Sequence, residues 1–113
     1  MPQEVYVSIT GLQVRRLWDL PSFWYHAMRS MAQARSAPGN IKAEARTINN
    51  VHHTLSVWTD RAAMTAYLTA GSHLEAMRLF PRIATGKVVG YSATEIPGWS
   101  QVHAIWAERG RIV

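Results

Sequence analysis

Residues 51–80, VHHTLSVWTDRAAMTAYLTAGSHLEAMRLF, constrain the fold more than any other part of the chain. The first eight alternate: Val51, His53, Leu55 and Val57 fall on one face of a strand, and His52, Thr54, Ser56 and Trp58 on the other, because strand side chains have a period of two. Thr59-Asp60 then offers an N-cap oxygen to an alanine-rich helix over 61–70 whose inward stripe is Ala63, Met64, Tyr67 and Leu68. Gly71 releases that helix, and Ser72-His73-Leu74-Glu75 has the spacing of a capping box that opens a second piece, ending at Phe80 before Pro81.

The rest of the chain supplies partners for this unit. Val5, Val7 and Ile9 alternate with Tyr6, Ser8 and Thr10, which predicts a first strand with one apolar and one polar face. Pro21 suits a helix first turn, Asp19 is placed to cap it, and Leu20, Trp24, Ala27, Met28, Met31 and Ala34 form an apolar stripe to about residue 35. Pro38-Gly39-Asn40 turns the chain into a strand over 41–48, with a small-residue face and a Lys42-Glu44-Arg46 row, and Asn49-Asn50 joins it as a hairpin to strand 51–58. A last strand is expected over 86–96, with Gly90 marking a bulge or a close backbone approach. Trp99, Val102, Ile105 and Trp106 then recur at helical spacing.

This order predicts an α+β, ferredoxin-like βαββαβ fold: a four-stranded antiparallel sheet with helices on one face, a split second helix and an extra C-terminal helix. Residues 1–113 read as one domain with 99–110 as a helical extension. The other sheet face is expected to be bare, and pairing of two such faces in a homodimer would cover it.

Composition narrows the chemistry. With 48% hydrophobic and 17% charged residues and no cysteine, the chain is globular by composition and excludes disulfides, thiolate zinc sites and a cysteine nucleophile. The +5 charge is spread along the sequence, with Arg15-Arg16 the one adjacent basic pair, which argues against a nucleic-acid partner. No leader pattern or long apolar run appears, so no membrane partner and a cytoplasmic location are expected. His52 and His53 point to opposite sheet faces and cannot chelate one metal together, and no metal motif is present.

His73 and Trp58 stand out as site candidates. At a helix N-terminus, on a face shared with Ala76, Met77 and Phe80, His73 feels the positive end of the helix dipole and is expected to stay neutral, able to accept a proton or to bond a carbonyl as a purely structural seam. Trp58, Trp24, Tyr67, Met77 and Phe80 are the expected lining of a pocket for a flat ligand, and core packing accounts for the same residues.

The segment SVWTDRAAMTAYLTAGSHLEAMR, through Trp58, Asp60, Ser72 and His73, resembles the dimeric α/β-barrel superfamily, in particular its antibiotic-biosynthesis-monooxygenase-like and spheroidene-monooxygenase-like proteins. With the Pro38-Gly39 turn, the resemblance spans most of the first 95 residues and leaves out the terminal helix. It implies a homodimer with a small-molecule pocket between sheet and helices in each subunit, in a superfamily that holds cofactor-independent oxygenases, haem-degrading enzymes and lyases. One reading is thus a monooxygenase-like protein that needs no cofactor and acts on an aromatic or polyketide-like molecule, with His73 as the catalytic group. A non-catalytic binding module of the same fold is the alternative. Haem binding through His73 is a third reading, but the haem-degrading members carry an asparagine on the first strand where this chain has only Tyr6, Ser8 and Thr10.

Overall fold

The structure, a computed structural model, describes residues 4–69 and 71–112, apart from the side chains of Ser72 and His73. Its elements are β1 (Val5–Val14), α1 (Leu20–Ser36), β2 (Asn40–Ile48), β3 (Val51–Trp58), α2 (Arg61–Leu68), α3 (Gly71–Ile83), β4 (Ala84–Ala93), α4 (Trp99–Arg109) and β5 (Arg111–Ile112), with a 3-10 turn at Leu17–Asp19. The strands form one antiparallel sheet in the order β2-β3-β1-β4-β5. This is the ferredoxin-like arrangement, with α1 connecting β1 to β2 and the split α2/α3 connecting β3 to β4. The sheet has five strands where four are expected, because the chain after α4 returns to pair Ile112 with Lys87 and Arg111 with Val88.

Local chemistry explains most boundaries. Asn49 and Asn50 both take positive φ, as a tight hairpin requires, and Asp60 accepts a 2.8 Å hydrogen bond from the Ala63 N–H at the start of α2. Gly71, at φ +51, makes the break that separates α3 from α2. The proposed Ser72–Glu75 capping box involves a side chain outside the described residues.

Other expectations are corrected. The inner stripe of α1 is Phe23, Ala27, Ser30, Met31 and Ala34, while Met28 is exposed, because Phe23 rather than Leu20 docks, stacking near Phe80 and His52. Asp19 makes no capping bond, since the 3-10 turn runs straight into α1 and leaves Asp19 itself in helical conformation. α3 continues through Pro81 to Ile83: a proline so near the end removes one ladder bond, and buried Ile83 is held by an Arg15 N–H to Ile83 carbonyl bond of 2.7 Å.

The largest correction concerns the sheet face opposite α1–α3, which is not bare. Val102 of α4 is fully buried there with Val7, Ile9, Leu55, Val57 and Val89, and Trp99, Ile105 and Trp106 pack around that cluster. Burying a side chain such as Val102 contributes about 1.5–3 kcal/mol, so α4 covers in one chain the surface that a partner sheet is expected to cover. Two further clusters lie on the α1–α3 face, one around Leu12, Phe23, Ala27, Ile83 and Ala84, the other around Met31, Ala34, Ala43, Trp58 and Tyr67. Among the described residues, no helix is long and apolar enough to cross a membrane.

Candidate functional site

The two clusters on the α1–α3 face leave a polar band between them. The alternation of β1 and β3 puts Tyr6, Ser8 and Thr10 beside Trp58, Ser56 and Thr54 in register, and the Thr10 and Thr54 hydroxyls hydrogen-bond across the strands. From β4, Gly90 and Ser92 pair with Ser8 and Tyr6, and both are exposed while Tyr6, Ser8 and Thr10 are half-buried. The helical layer thus closes over Trp58 and over Leu12 but leaves the Tyr6–Ser8–Gly90 floor partly open. A Cβ at Gly90 would lie 2.3 Å from the Tyr6 hydroxyl, so a larger residue there would displace the Tyr6 side chain.

Tyr67 organises the closed end of the band. Its ring stacks on Trp58, centroids 5.0 Å apart at 29°, and its hydroxyl donates a 2.9 Å bond to the Ser30 carbonyl of α1. Burial pushes the Tyr67 phenol well above its ordinary value, so at neutral pH it remains a neutral donor. Two polar atoms next to it are orphaned: the Trp58 indole N–H and the Ser30 hydroxyl are buried and find no hydrogen-bond partner among the described residues. Tyr67 also borders an open cleft of about 530 Å³ lined by Gln33, Ala37, Gly39, Thr59 and Ala63.

The structure places the remaining candidates unequally. His73 lies in the first turn of α3, but its side chain is outside the described residues. Trp58 and Tyr67 are brought together, as above. Trp24 and Phe80 sit in the other cluster, both against Phe23, with ring centroids at 5.5 and 5.0 Å, and Met77 is half exposed. His52 is in that second cluster too, with its ring 5.1 Å from Phe23 and 5.0 Å from Trp24, and burial depresses its pKa.

The opposite face carries a constellation that the sequence does not announce. His53, only 1% exposed, places Nδ1 3.0 Å from the Thr10 carbonyl and Nε2 2.9 Å from Nδ1 of His103 on α4. A carbonyl can only accept, so His53 Nδ1 carries the proton and His103 Nδ1–H donates to His53 Nε2. His53 thus has a helix histidine as its side-chain partner, with the Trp106 ring edge-on at 4.9 Å. Glu44 and Arg46 engage Trp99: its indole N–H donates 3.0 Å to Glu44, and the Arg46 guanidinium lies 5.2 Å over the ring. The signal for His103 was its spacing, four residues after Trp99 and three before Trp106, which places it on the inner stripe. The signal for Ser30 was the same kind of spacing, between Ala27 and Ala34.

Among the described residues, no group of three or more His, Asp or Glu side chains is placed to hold a metal ion. No protein-family model and no curated protein matches the chain. Solved structures do. SnoaB, a cofactor-independent oxygenase from Streptomyces nogalater, aligns with TM-score 0.65 and 19% identity over 80% of this chain and 93% of its own. A putative antibiotic biosynthesis monooxygenase from Nitrosomonas europaea gives TM-score 0.68 and 14% identity over 79% and 88%. A conserved protein from Methanosarcina mazei Go1 gives 0.69 and 10% over 81% and 93%. The chain therefore has the ferredoxin-like fold of the antibiotic-biosynthesis-monooxygenase-like structures.

Proposed function

We propose that the chain is a small monooxygenase-like protein that needs no cofactor and binds an aromatic or polyketide-like molecule in the polar band between the sheet and α1–α3. The observation that carries this reading is the pair of orphaned polar groups beside Tyr67, the Trp58 N–H and the Ser30 hydroxyl. Leaving a buried donor unsatisfied costs about 1–3 kcal/mol, and a phenol or quinone oxygen lodged beside Tyr67 would give such a donor an acceptor while its ring met an aromatic wall. Similarity in fold to a cofactor-independent oxygenase supports the same chemistry. In this reading His73 accepts the proton from an acidic phenol or enol, which raises the electron density of the ring toward oxygen, and Trp58 and Tyr67 hold the ring in place. Trp24, Met77 and Phe80 belong to the farther wall. A homodimer and a cytoplasmic location remain part of this proposal.

The polar strand residues disfavour haem chemistry: Tyr6, Ser8, Thr10 and Leu12 fill the α1–α3 face of β1, with no asparagine among them. The test is oxygen uptake by the purified protein with a panel of phenols and hydroquinones. Activity that falls by about 10²-fold or more in His73→Ala supports the proton-acceptor role, whereas undiminished activity in that variant removes it. Binding of such phenols without turnover would make the chain a binding module of the same fold.

A further inference from the structure

We infer that the end of the molecule where β1 runs into α1 docks onto an anionic lipid surface. Leu17 and Trp18 occupy the 3-10 turn at this end and are 82% and 74% exposed, more than any other large apolar pair adjacent in the described chain. Side chains of this size seldom protrude together into water without a partner.

Their surroundings identify the partner by charge. The Arg16 guanidinium lies 5.5 Å over the Trp18 ring. Arg15 fastens the turn to the C-terminal end of α3, through its N–H to the Ile83 carbonyl and its guanidinium to the Pro81 carbonyl at 3.4 Å. That contact brings in exposed Arg82 from the last turn of α3 and exposed Arg78 one turn earlier on the same helical face. Arg15 and Arg16 thus flank the two apolar side chains, and Arg78 and Arg82 lie on the helix whose end meets the turn. Among the acids, Glu4, Asp60 and Glu95 adjoin the opposite ends of β1, β3 and β4, Glu44 lies mid-strand on β2, and Glu75 sits one turn before Arg78 on α3, where it pairs with Arg29 at 3.7 Å. Asp19 is the acidic residue within the turn, and Glu108 lies on α4, across the sheet.

A tryptophan–leucine wedge inside a basic collar matches the two layers of a bilayer surface. The indole and isobutyl groups enter the interfacial region while the guanidinium groups meet phosphates. Such contact needs no membrane-spanning segment, so the absence of a long apolar run bears only on spanning.

The experiment is co-sedimentation of the full chain with vesicles of phosphatidylcholine alone and of phosphatidylcholine with phosphatidylglycerol, at low and high salt. Binding is expected to the mixed vesicles only, and to weaken as salt is raised. Arg16→Gln and Arg82→Gln should each weaken it about fivefold, the equivalent of roughly 1 kcal/mol per cation near an anionic surface. Leu17→Ser with Trp18→Ser should weaken it about tenfold or more, with an unchanged unfolding midpoint because both side chains are exposed. Equal binding to neutral vesicles, no binding to either, or binding that the double serine variant retains in full would overturn the proposal. So would a concentration-dependent dimer that the double serine variant abolishes, or salt-sensitive retention on DNA with no vesicle binding, since each would assign the patch to another partner.

Discussion

The two faces of the sheet solve the same burial problem differently. Under α4, the indole N–H groups of Trp99 and Trp106 are both bonded, to Glu44 at 3.0 Å and to the Lys87 carbonyl at 2.8 Å, and both nitrogens of His53 are used. Under α1 and the α2/α3 pair, the Trp58 N–H and Ser30 hydroxyl have no partner among the described residues, and a row of buried and half-buried serines and threonines replaces an apolar seam. Native interiors tolerate few unsatisfied groups. A face sealed by one helix is a completed core, whereas a face with open donors has room in its chemistry for something else.

The contrast breaks most sharply at Gly11. A Cβ there would lie 2.4 Å from the Trp106 ring and 2.8 Å from His53 Cε1, so the close seating of α4 depends on this residue having no side chain. Gly11→Val should cost about 3 kcal/mol, the upper end of the range for overpacking, as the helix is pushed off the sheet. Urea unfolding followed by tryptophan fluorescence measures it. An unchanged midpoint would mean that α4 is not held on this face in solution, and would reopen the sheet for a partner.

A smaller effect tests the histidine pair. His103→Ala leaves His53 Nε2 buried without its donor and should cost about 1–3 kcal/mol. Acid should loosen the same contact. Burial chiefly, with the neighbouring His103 and His52 adding to it and the Thr10 carbonyl opposing it, holds the His53 pKa below the ordinary value, so the unfolded chain binds the proton more readily than the native one. Stability is then full above about pH 6.5 and declines as the pH falls below it toward the depressed native value. His52, also depressed by burial, acts with the same sign from the other face. Comparing urea midpoints at neutral and mildly acidic pH in the His52→Gln variant isolates the His53 share, and a flat profile there would contradict a His53 buried in its neutral form.

How much of this was legible in the sequence follows from the range of the forces involved. The strand alternation, the Asp60 cap, the Gly71 break and the Asn49-Asn50 turn are local, so they could be read directly, and with them the ferredoxin-like order. The placement of α4 was not local. An amphipathic helix states that it has an inner face, not which surface receives it, and the bare sheet expected from the βαββαβ pattern was already occupied. The same limit hid the His53–His103 contact, which joins residues 50 positions apart. Trp58 and Tyr67 could be named as aromatic neighbours of one pocket, but the orphaned state of the Trp58 N–H depends on what lies opposite it in the packed layers.

That orphaned group gives the finest test of the comparison. Trp58→Phe and Trp106→Phe remove the same atoms, from a fully buried and a half-buried site, so each loss is scaled to the apolar area it uncovers before the two are compared. What remains is the N–H. In Trp106→Phe the Lys87 carbonyl loses its donor, at a net cost of about 1 kcal/mol. In Trp58→Phe an unsatisfied donor disappears, which offsets part of the packing loss. After that scaling, Trp106→Phe should therefore be the more destabilising by about 1 kcal/mol or more in urea unfolding without ligand. A bound phenol should reverse the order of importance: the rise in melting temperature it gives the wild-type protein should shrink in Trp58→Phe and persist in Trp106→Phe. Equal scaled costs without ligand, together with equal ligand shifts, would mean that the Trp58 N–H already has a partner in solution, and the two faces of the sheet would then be alike.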